Sequence, residues 1–321
     1  MAGAGSLDGK ILIITGPTGS GKSGLALGLA AKRPCEIVNC DASQFYAGMA
    51  VGTAAPEPEE MATVPHHLFG IRRPDEPVDA GRYLELAAPI FRQIWSRGNL
   101  PLVVGGTGLY VRALSRGLAS IPTVDPGVRR ALTARLEAHG LPSLREELEQ
   151  CDPAYAARIA PNDPQRTLRA LEVYHGTGRP LSHYQAEHGF KGAAYSSTVL
   201  AVDMPDEQLR PRLAQRLDKM LAQGFIDECK ALLAAGYDPE LRTFKALGYR
   251  ELFDYLAGSV TLADARERIL RSHIQYVKRQ RTWFKKEPGV IWGSALEEAW
   301  ALEVLDRFIG CQMQGANEPC Q

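Results

Sequence analysis

The chain has 321 residues, 45% of them hydrophobic and 23% charged, with 37 basic and 37 acidic side chains and so a formal net charge of zero. Such a length holds one large domain or a core with an insertion, and the even charge excludes a protein coated along its whole surface by a polyanion. No apolar run approaches the ~20 residues that span a bilayer, and the opening MAGAGSLDGK lacks the basic-then-apolar pattern of a secretion signal, so a cytoplasmic protein without membrane association is expected.

Hydrophobic period and punctuation predict strands at 11–15, 36–40, 100–104, 197–203 and 289–292. Helices are predicted at 22–32, 81–97, 107–116, 205–222, 225–235, 245–257, 261–286 and 294–309. Strands alternating with helices imply right-handed crossovers, hence an α/β fold with a parallel sheet covered by helices on both faces. Residues 117–195 carry no convincing strand and read as short helices separated by Asp-Pro, Pro-Asn-Asp-Pro and Gly-Thr-Gly. The expected division is a core of 1–116 and 196–321, including the C-terminal helices, with an all-helical insertion at 117–195.

The first strand leads straight into Gly16, Pro17, Thr18, Gly19, Ser20, Gly21, Lys22 and Ser23, a complete GxxxxGK[ST] phosphate loop, and the loop opens the first helix. A strand, a glycine-rich turn and a helix N-terminus aim backbone N–H groups and the positive end of the helix dipole at one phosphate. Lys22 adds a point charge, and Ser23 a hydroxyl ligand for Mg²⁺. The loop alone leaves open whether those phosphates belong to a nucleotide such as ATP or to another ligand.

The second strand ends at Asp41, where a carboxylate at a strand tip can take a proton or hold a metal; a turn or helix-cap aspartate is the competing reading. The third strand ends in Gly105-Gly106-Thr107 where a nucleotide hydrolase would place a metal-holding aspartate, which counts against ordinary ATP hydrolysis. The fourth does end in Asp203, but Met204-Pro205-Asp206 opens a helix at once, so Asp203 reads as a turn residue. His66 and His67 have no third ligand at a suitable spacing and read as structural. The six cysteines, Cys35, Cys40, Cys151, Cys229, Cys311 and Cys320, form no CxxC pair, which favours reduced thiols over a zinc site or disulfide frame.

Basic charge is concentrated locally. Between Arg266 and Lys286 stand eight basic residues and one acid, interleaved with Tyr276, Trp283 and Phe284, and a second group, Arg158, Arg166, Arg169 and Arg179, lies in the insertion. Local basic surfaces within a neutral total fit a protein that holds a nucleic acid at chosen points; a solvated helix face with a buried aromatic side is the plainer reading.

The blocks GPTGSGKS, DASQFYAGMAVGTAAP (41–56), PHHL (65–68), GGTGLY (105–110), RIAPNDPQRTLRALEVY (158–174), KALGYREL (245–252) and QYVKRQRTWF (275–284) occur in the order seen in bacterial tRNA dimethylallyltransferases, which the chain therefore resembles over nearly its whole length. The resemblance implies a P-loop NTPase-like fold and transfer of a dimethylallyl group from dimethylallyl diphosphate to the exocyclic amine of the adenosine 3′ of the tRNA anticodon. It also implies that Asp41 is the general base, that Thr107 helps hold the leaving group or the amine, and that the loop with Lys22 and a Mg²⁺ on Ser23 stabilises the departing diphosphate. The tRNA anticodon stem-loop would be met by Asp41, Ala42, Ser43, Gln44 and Thr107 at the base. Around it would stand Arg129, the block Gln165, Arg166, Thr167, Leu168 and Arg169, and the block Lys245, Ala246, Leu247, Gly248, Tyr249 and Arg250. From spacing alone, Arg166 and Arg169 share a helix face, and surface ion pairs with Asp163 or Glu172 are the alternative. No obligate protein partner is evident. Ala42 departs from the serine that the family usually has after the aspartate, and Cys311 and Cys320, without a histidine pair, do not make the zinc finger of eukaryotic members. A small-molecule kinase and an RNA-binding protein with a regulatory nucleotide site are the rival classes.

Overall fold

The computed structural model describes residues 7–188 and 192–310; Cys311 and Cys320 lie outside the described residues. Two compact units emerge, one built from the chain up to Ser115 and again from Ala194, the other from Arg116–Ala193.

The first unit is organised on six strands: β1 (Lys10–Thr15), β2 (Cys35–Asn39), β3 (His66–His67), β4 (Leu100–Val104), β5 (Ser196–Val202) and β6 (Val290–Gly293). They pair in the order β3-β2-β4-β1-β5-β6, parallel throughout. The runs KILIIT, CEIVN and LPLVV are buried at every position, as strands covered on both faces must be. Alternation then assigns faces. Leu12, Ile14, Leu102 and Leu200 pack with Leu25 and Leu29 of the helix Lys22–Ala30 and with Ala301 and Leu305 of the helix Glu298–Gly310. The helix Ala80–Ser96, with Tyr83, Ala87, Phe91 and Ile94 buried, packs against β4, and its Trp95 donates Nε1–H to Lys10 O at 2.9 Å.

β3 was not expected, because two residues carry no period. It exists through its neighbours: Ile37 N–H bonds to Pro65 O at 2.9 Å, and His67 Nε2 meets Glu36 Oε2 at 2.7 Å. Glu36, 1% exposed, also accepts both arms of Arg97 (2.8 and 2.7 Å) and Asn99 (2.8 Å), so His67 belongs to this network. The helix expected from 245 starts only at Tyr249, since Gly248 stands in the left-handed region (φ 97°) after the short 3-10 turn Arg242–Lys245. The short helices Ala50–Thr53 and Pro58–Thr63 were also unforeseen.

The regular elements among the second unit's described residues are all helices: Pro126–Cys151, Pro153–Ala156, Pro164–Thr177 and Leu181–His188. Three Asp-Pro pairs start three of them. Asp125, Asp152 and Asp163 each accept a backbone N–H two or three residues on (2.8, 3.0 and 3.0 Å), with proline in the first helical turn, where its missing N–H costs nothing. The stretch Pro126–Cys151 is two helices that meet at a sharp kink at Gly140, whose backbone is not helical (φ 75°, ψ 173°). Leu132, Leu144, Leu148, Leu168, Leu171 and Leu181 fill this unit's own core.

Candidate active site

Ligands in an open parallel sheet bind beyond the carboxyl ends of the strands, and here the ends of β1, β2 and β4 converge. Gly105 N–H returns to Ile14 O at 3.1 Å and Thr107 N–H to Cys40 O at 3.2 Å, fastening the three tips together. The phosphate loop follows β1, Asp41 follows β2, and Thr107 follows β4. Thr18 of the loop, Asp41 and Thr107 border a cavity of about 400 Å³, further walled by Arg216 and Met220, by Arg242, Thr243 and Lys245 to Leu247, and by His273, Tyr276 and Arg279.

Asp41 is held by its backbone from two sides. Its N–H donates to Asn39 Oδ1 at 2.7 Å, and the next N–H, of Ala42, donates to Thr107 Oγ1 at 2.8 Å. Thr107 therefore clasps the Asp41 turn; its hydroxyl does not cap the helix Gly108–Arg116 that it precedes. On the carboxylate, Oδ1 accepts from Ser43 N–H (3.0 Å) and Ser43 Oγ (2.7 Å). Gln44 turns away and gives its amide to Thr53 O and Ala54 O at 3.0 and 2.9 Å.

In the loop, Lys22 Nζ donates to Pro17 O at 2.7 Å. Burial lowers its pKa to about 8; Asp41 draws it back up and Arg216 pushes it further down. The buried hydroxyl of Ser20 has no partner, a donor waiting inside an anion cradle. Thr18 N–H is already taken by Gln280 Oε1 at 2.9 Å, and Gln280 Nε2 donates to Gly106 O at 3.0 Å, so this one buried amide ties the β1 loop to the β4 loop.

Arg216, from the helix Asp206–Ala222, is the residue that sequence reasoning missed outright. Its Nε is sealed from solvent with no acceptor, burial lowers its pKa, and Asp41 is the opposing charge that acts on it. QRLDKM reads as an ordinary polar helix face, and no spacing signal marks it. Gln280 lies inside a quoted block yet had no role assigned. His273, 5% exposed, gives Nδ1–H to Ile269 O at 2.9 Å and turns its other face to the cavity.

Of the expected RNA-facing residues, Asp41, Ala42, Ser43, Thr107, Lys245, Ala246 and Leu247 line the cavity. Tyr249 does not: fully buried, it donates its hydroxyl to Glu228 Oε1 at 2.7 Å, while Glu228 also accepts Val51 and Gly52 N–H. Gly248 is buried beside it, and Arg250 pairs with Glu240 at 2.9 Å. In the second unit Thr167 and Leu168 are buried, so only Gln165, Arg166 and Arg169 of that block present side chains to solvent. Arg166 pairs with its cap Asp163 (3.3 Å), and Arg169 and Arg129 share Glu172 (3.2 and 3.3 Å). Within the basic stretch 266–286, Arg266, Arg268, Arg271 and Arg281 all have acidic partners, and Arg281 chelates Asp203, which accounts for Asp203 as a turn residue. Lys278, Lys285 and Lys286 carry no ion pair among the described residues, and Arg279 lies over the Tyr276 ring at 5.6 Å.

Residues 44–287 match the IPP transferase family, and residues 9–73 the isopentenyl transferase family. A tRNA dimethylallyltransferase of Syntrophobacter fumaroxidans is 45% identical over 291 residues, 91% of this chain and 85% of the relative. One from Geobacter sulfurreducens is 45% identical over 88% of this chain and 91% of its own length. Among solved structures, the tRNA isopentenylpyrophosphate transferase of Bacillus halodurans superposes with a TM-score of 0.68 at 34% identity, over 96% of this chain and 97% of that one. A eukaryotic dimethylallyltransferase captured acting on tRNA reaches 0.79 at 27% identity, over 94% of this chain and 80% of its own. With its phosphate loop, its carboxylate at the tip of β2 and this likeness over most of its length, the chain belongs to the IPP transferase family, the tRNA dimethylallyltransferases, and has their P-loop NTPase-like fold.

Proposed function

We propose that this enzyme moves the dimethylallyl group of dimethylallyl diphosphate to the exocyclic N6 amine of the adenosine 3′-adjacent to the tRNA anticodon, releasing diphosphate, in the cytoplasm. The observation that carries the reading is that a carboxylate, Asp41, and a cation, Arg216, line one cavity together with Thr18 of the phosphate loop, and that Asp41 acts electrostatically on both Arg216 and the loop's Lys22. As the N6–C1 bond forms, the C1–O bond breaks and diphosphate leaves with the electron pair. Asp41 takes the proton that N6 sheds, a contribution of ~10²–10⁴-fold for a base in hydrogen-bond reach. Lys22, Arg216, the loop N–H groups and Ser20 Oγ receive the charge growing on the leaving group, stronger there than in the ground state. Thr107 holds the Asp41 turn, and its own proton is available to the leaving group or the amine.

Ser23, exposed in the first helical turn, supplies one hydroxyl oxygen. That suits Mg²⁺, which takes few protein ligands and most of its shell from phosphates and water; bound there, the ion would neutralise leaving-group charge. The adenosine enters extruded from its stack, at a cost of a few kcal/mol, against Ala42, Ser43 and the bend Lys245–Leu247. Gln165, Arg166, Arg169, Arg129 and Arg250 grip phosphates of the stem-loop, the four arginines exchanging their present carboxylate partners for RNA.

Incubation with unmodified tRNA, Mg²⁺ and labelled dimethylallyl diphosphate tests this: label enters the RNA at one adenosine, and Asp41→Ala lowers transfer by at least ~10². ATP consumption without labelled RNA would overturn the reaction. Undiminished transfer by Asp41→Ala would overturn the assignment of the base.

A further inference from the structure

We infer that Ser43 is the positioning residue that aims the base, fixing Asp41 Oδ1 so that Oδ2 alone receives the amine proton. The inference rests on the reading of Asp41 as the base. The backbone around Asp41 is already held by Asn39 and Thr107, but neither touches the carboxylate. The terminal torsion of an aspartate is soft and twofold, so a fixed backbone does not fix its oxygens. Among the described residues only Ser43 does, with two donors on the same atom: Oγ at 2.7 Å and N–H at 3.0 Å. The N–H would come from any residue at this position of the turn; the hydroxyl is what serine adds. An oxygen accepting two hydrogen bonds has its lone pairs committed, and Oδ2, with no partner among the described residues, keeps its own for the substrate. Ala42 offers no hydroxyl, and its methyl lines the cavity. The hydroxyl nearest the aspartate in the chain therefore stands two residues after it, and it is bonded to the carboxylate.

The test is a cycle of Ser43→Ala, Asp41→Ala and the double variant, read as single-turnover rate, KM for tRNA and for donor, and melting temperature, with Ser43→Thr as the rescue. Ser43→Ala should lower the rate about 10- to 100-fold, the scale of a misaligned reacting group, with both KM values within about twofold and melting unchanged. Ser43→Thr, which keeps the hydroxyl, should recover most of the rate. In the Asp41→Ala background the second substitution should cost nothing further, because a hydroxyl acting through the carboxylate has no effect without it. An unchanged rate in Ser43→Ala, a loss confined to KM for tRNA, or losses that multiply in the double variant would each overturn the inference. A fully active Asp41→Ala would instead remove the base reading beneath it.

Discussion

Replacing Arg216 with methionine should make the free enzyme more stable and the loaded enzyme useless. Arg216 and Lys22 are both driven down from their ordinary pKa values, first by burial and, for Lys22, also by repulsion from Arg216, while Asp41 is the one carboxylate acting on both from within the cavity. The sealed Nε of Arg216 adds a donor with no acceptor. Such a group costs about 1–3 kcal/mol, and methionine keeps the length and flexibility needed to fill the space without it. A gain of ~1–2 kcal/mol corresponds to roughly 2–6 °C in melting temperature for a chain of this size. Losing one partner of a buried charge pair costs ~2–5 kcal/mol, so binding of inorganic diphosphate should weaken about 30- to 4,000-fold. The assay is thermal melting with and without diphosphate, beside titration calorimetry with the same anion. Wild type melts lower alone and rises on adding diphosphate; Arg216→Met melts higher alone and does not respond. A variant that melts lower than wild type and still binds diphosphate normally would refute the idea that the empty cavity stores unpaired positive charge.

The pH behaviour follows from two further groups. With the Lys22 pKa lowered to about 8, the free enzyme loses this cation as pH rises through 8; kcat/KM for the donor should therefore fall above pH 8, while kcat, measured with diphosphate in place to hold the proton, should stay level. Identical alkaline limbs in both would remove Lys22 from donor binding. At the opposite end of the sheet, burial pushes the Glu36 carboxyl up, but hydrogen bonds from Arg97, Asn99 and His67 bring it down to about 2. A folded pKa below the unfolded one gives stability that is present above about pH 4.5 and is lost as pH falls towards 2, on the order of 3 kcal/mol. Urea melts should show that loss between pH 6 and 2 in wild type and a shallower slope in Glu36→Gln; equal slopes would show that the pair with Arg97 contributes nothing.

The sequence announced whatever repeats along the chain or has a fixed grammar. Apolar runs located five strands to within a residue or so at their starts, and GPTGSGKS located the loop, because both rest on local backbone physics. Asp41 and Thr107 were legible as strand-tip residues. Illegible were contacts made only by folding: Arg216 looks like any arginine on a polar helix, and Gln280 sits 262 residues from the Thr18 N–H that it accepts. Periodicity also overstated availability. The block Gln165–Arg169 reads as one recognition patch, yet Thr167 and Leu168 are core and the arginines have acidic neighbours. The eight basic residues of 266–286 look like a single positive stripe until Arg266, Arg268, Arg271 and Arg281 are seen to be paired.

The glycines at the tip of β4 bear on why a loop of nucleotide-binding type serves alkyl transfer. A nucleotide hydrolase needs a metal-holding acid there. At 105, a Cβ would stand 2.1 Å from Cys40 C and 2.6 Å from Asp41 N; at 106, it would stand 2.1 Å from Gln280 Nε2. At 105 the obstacle is backbone, which leaves no room for a side chain; at 106 it is the end of the Gln280 side chain, which would have to move aside. The atoms in the way at 105 are the backbone of the very turn that delivers Asp41, and the atom in the way at 106 belongs to the amide that occupies Thr18 N–H. The close approach of β2 and β4 that brings Asp41 to the cavity is thus incompatible with an acid at 105, and an acid at 106 would displace the Gln280 amide that occupies Thr18 N–H. The backbone contact at Gly105 and the Gln280 amide beside Gly106 thus leave the tip of β4 without the acid that hydrolysis of a triphosphate needs.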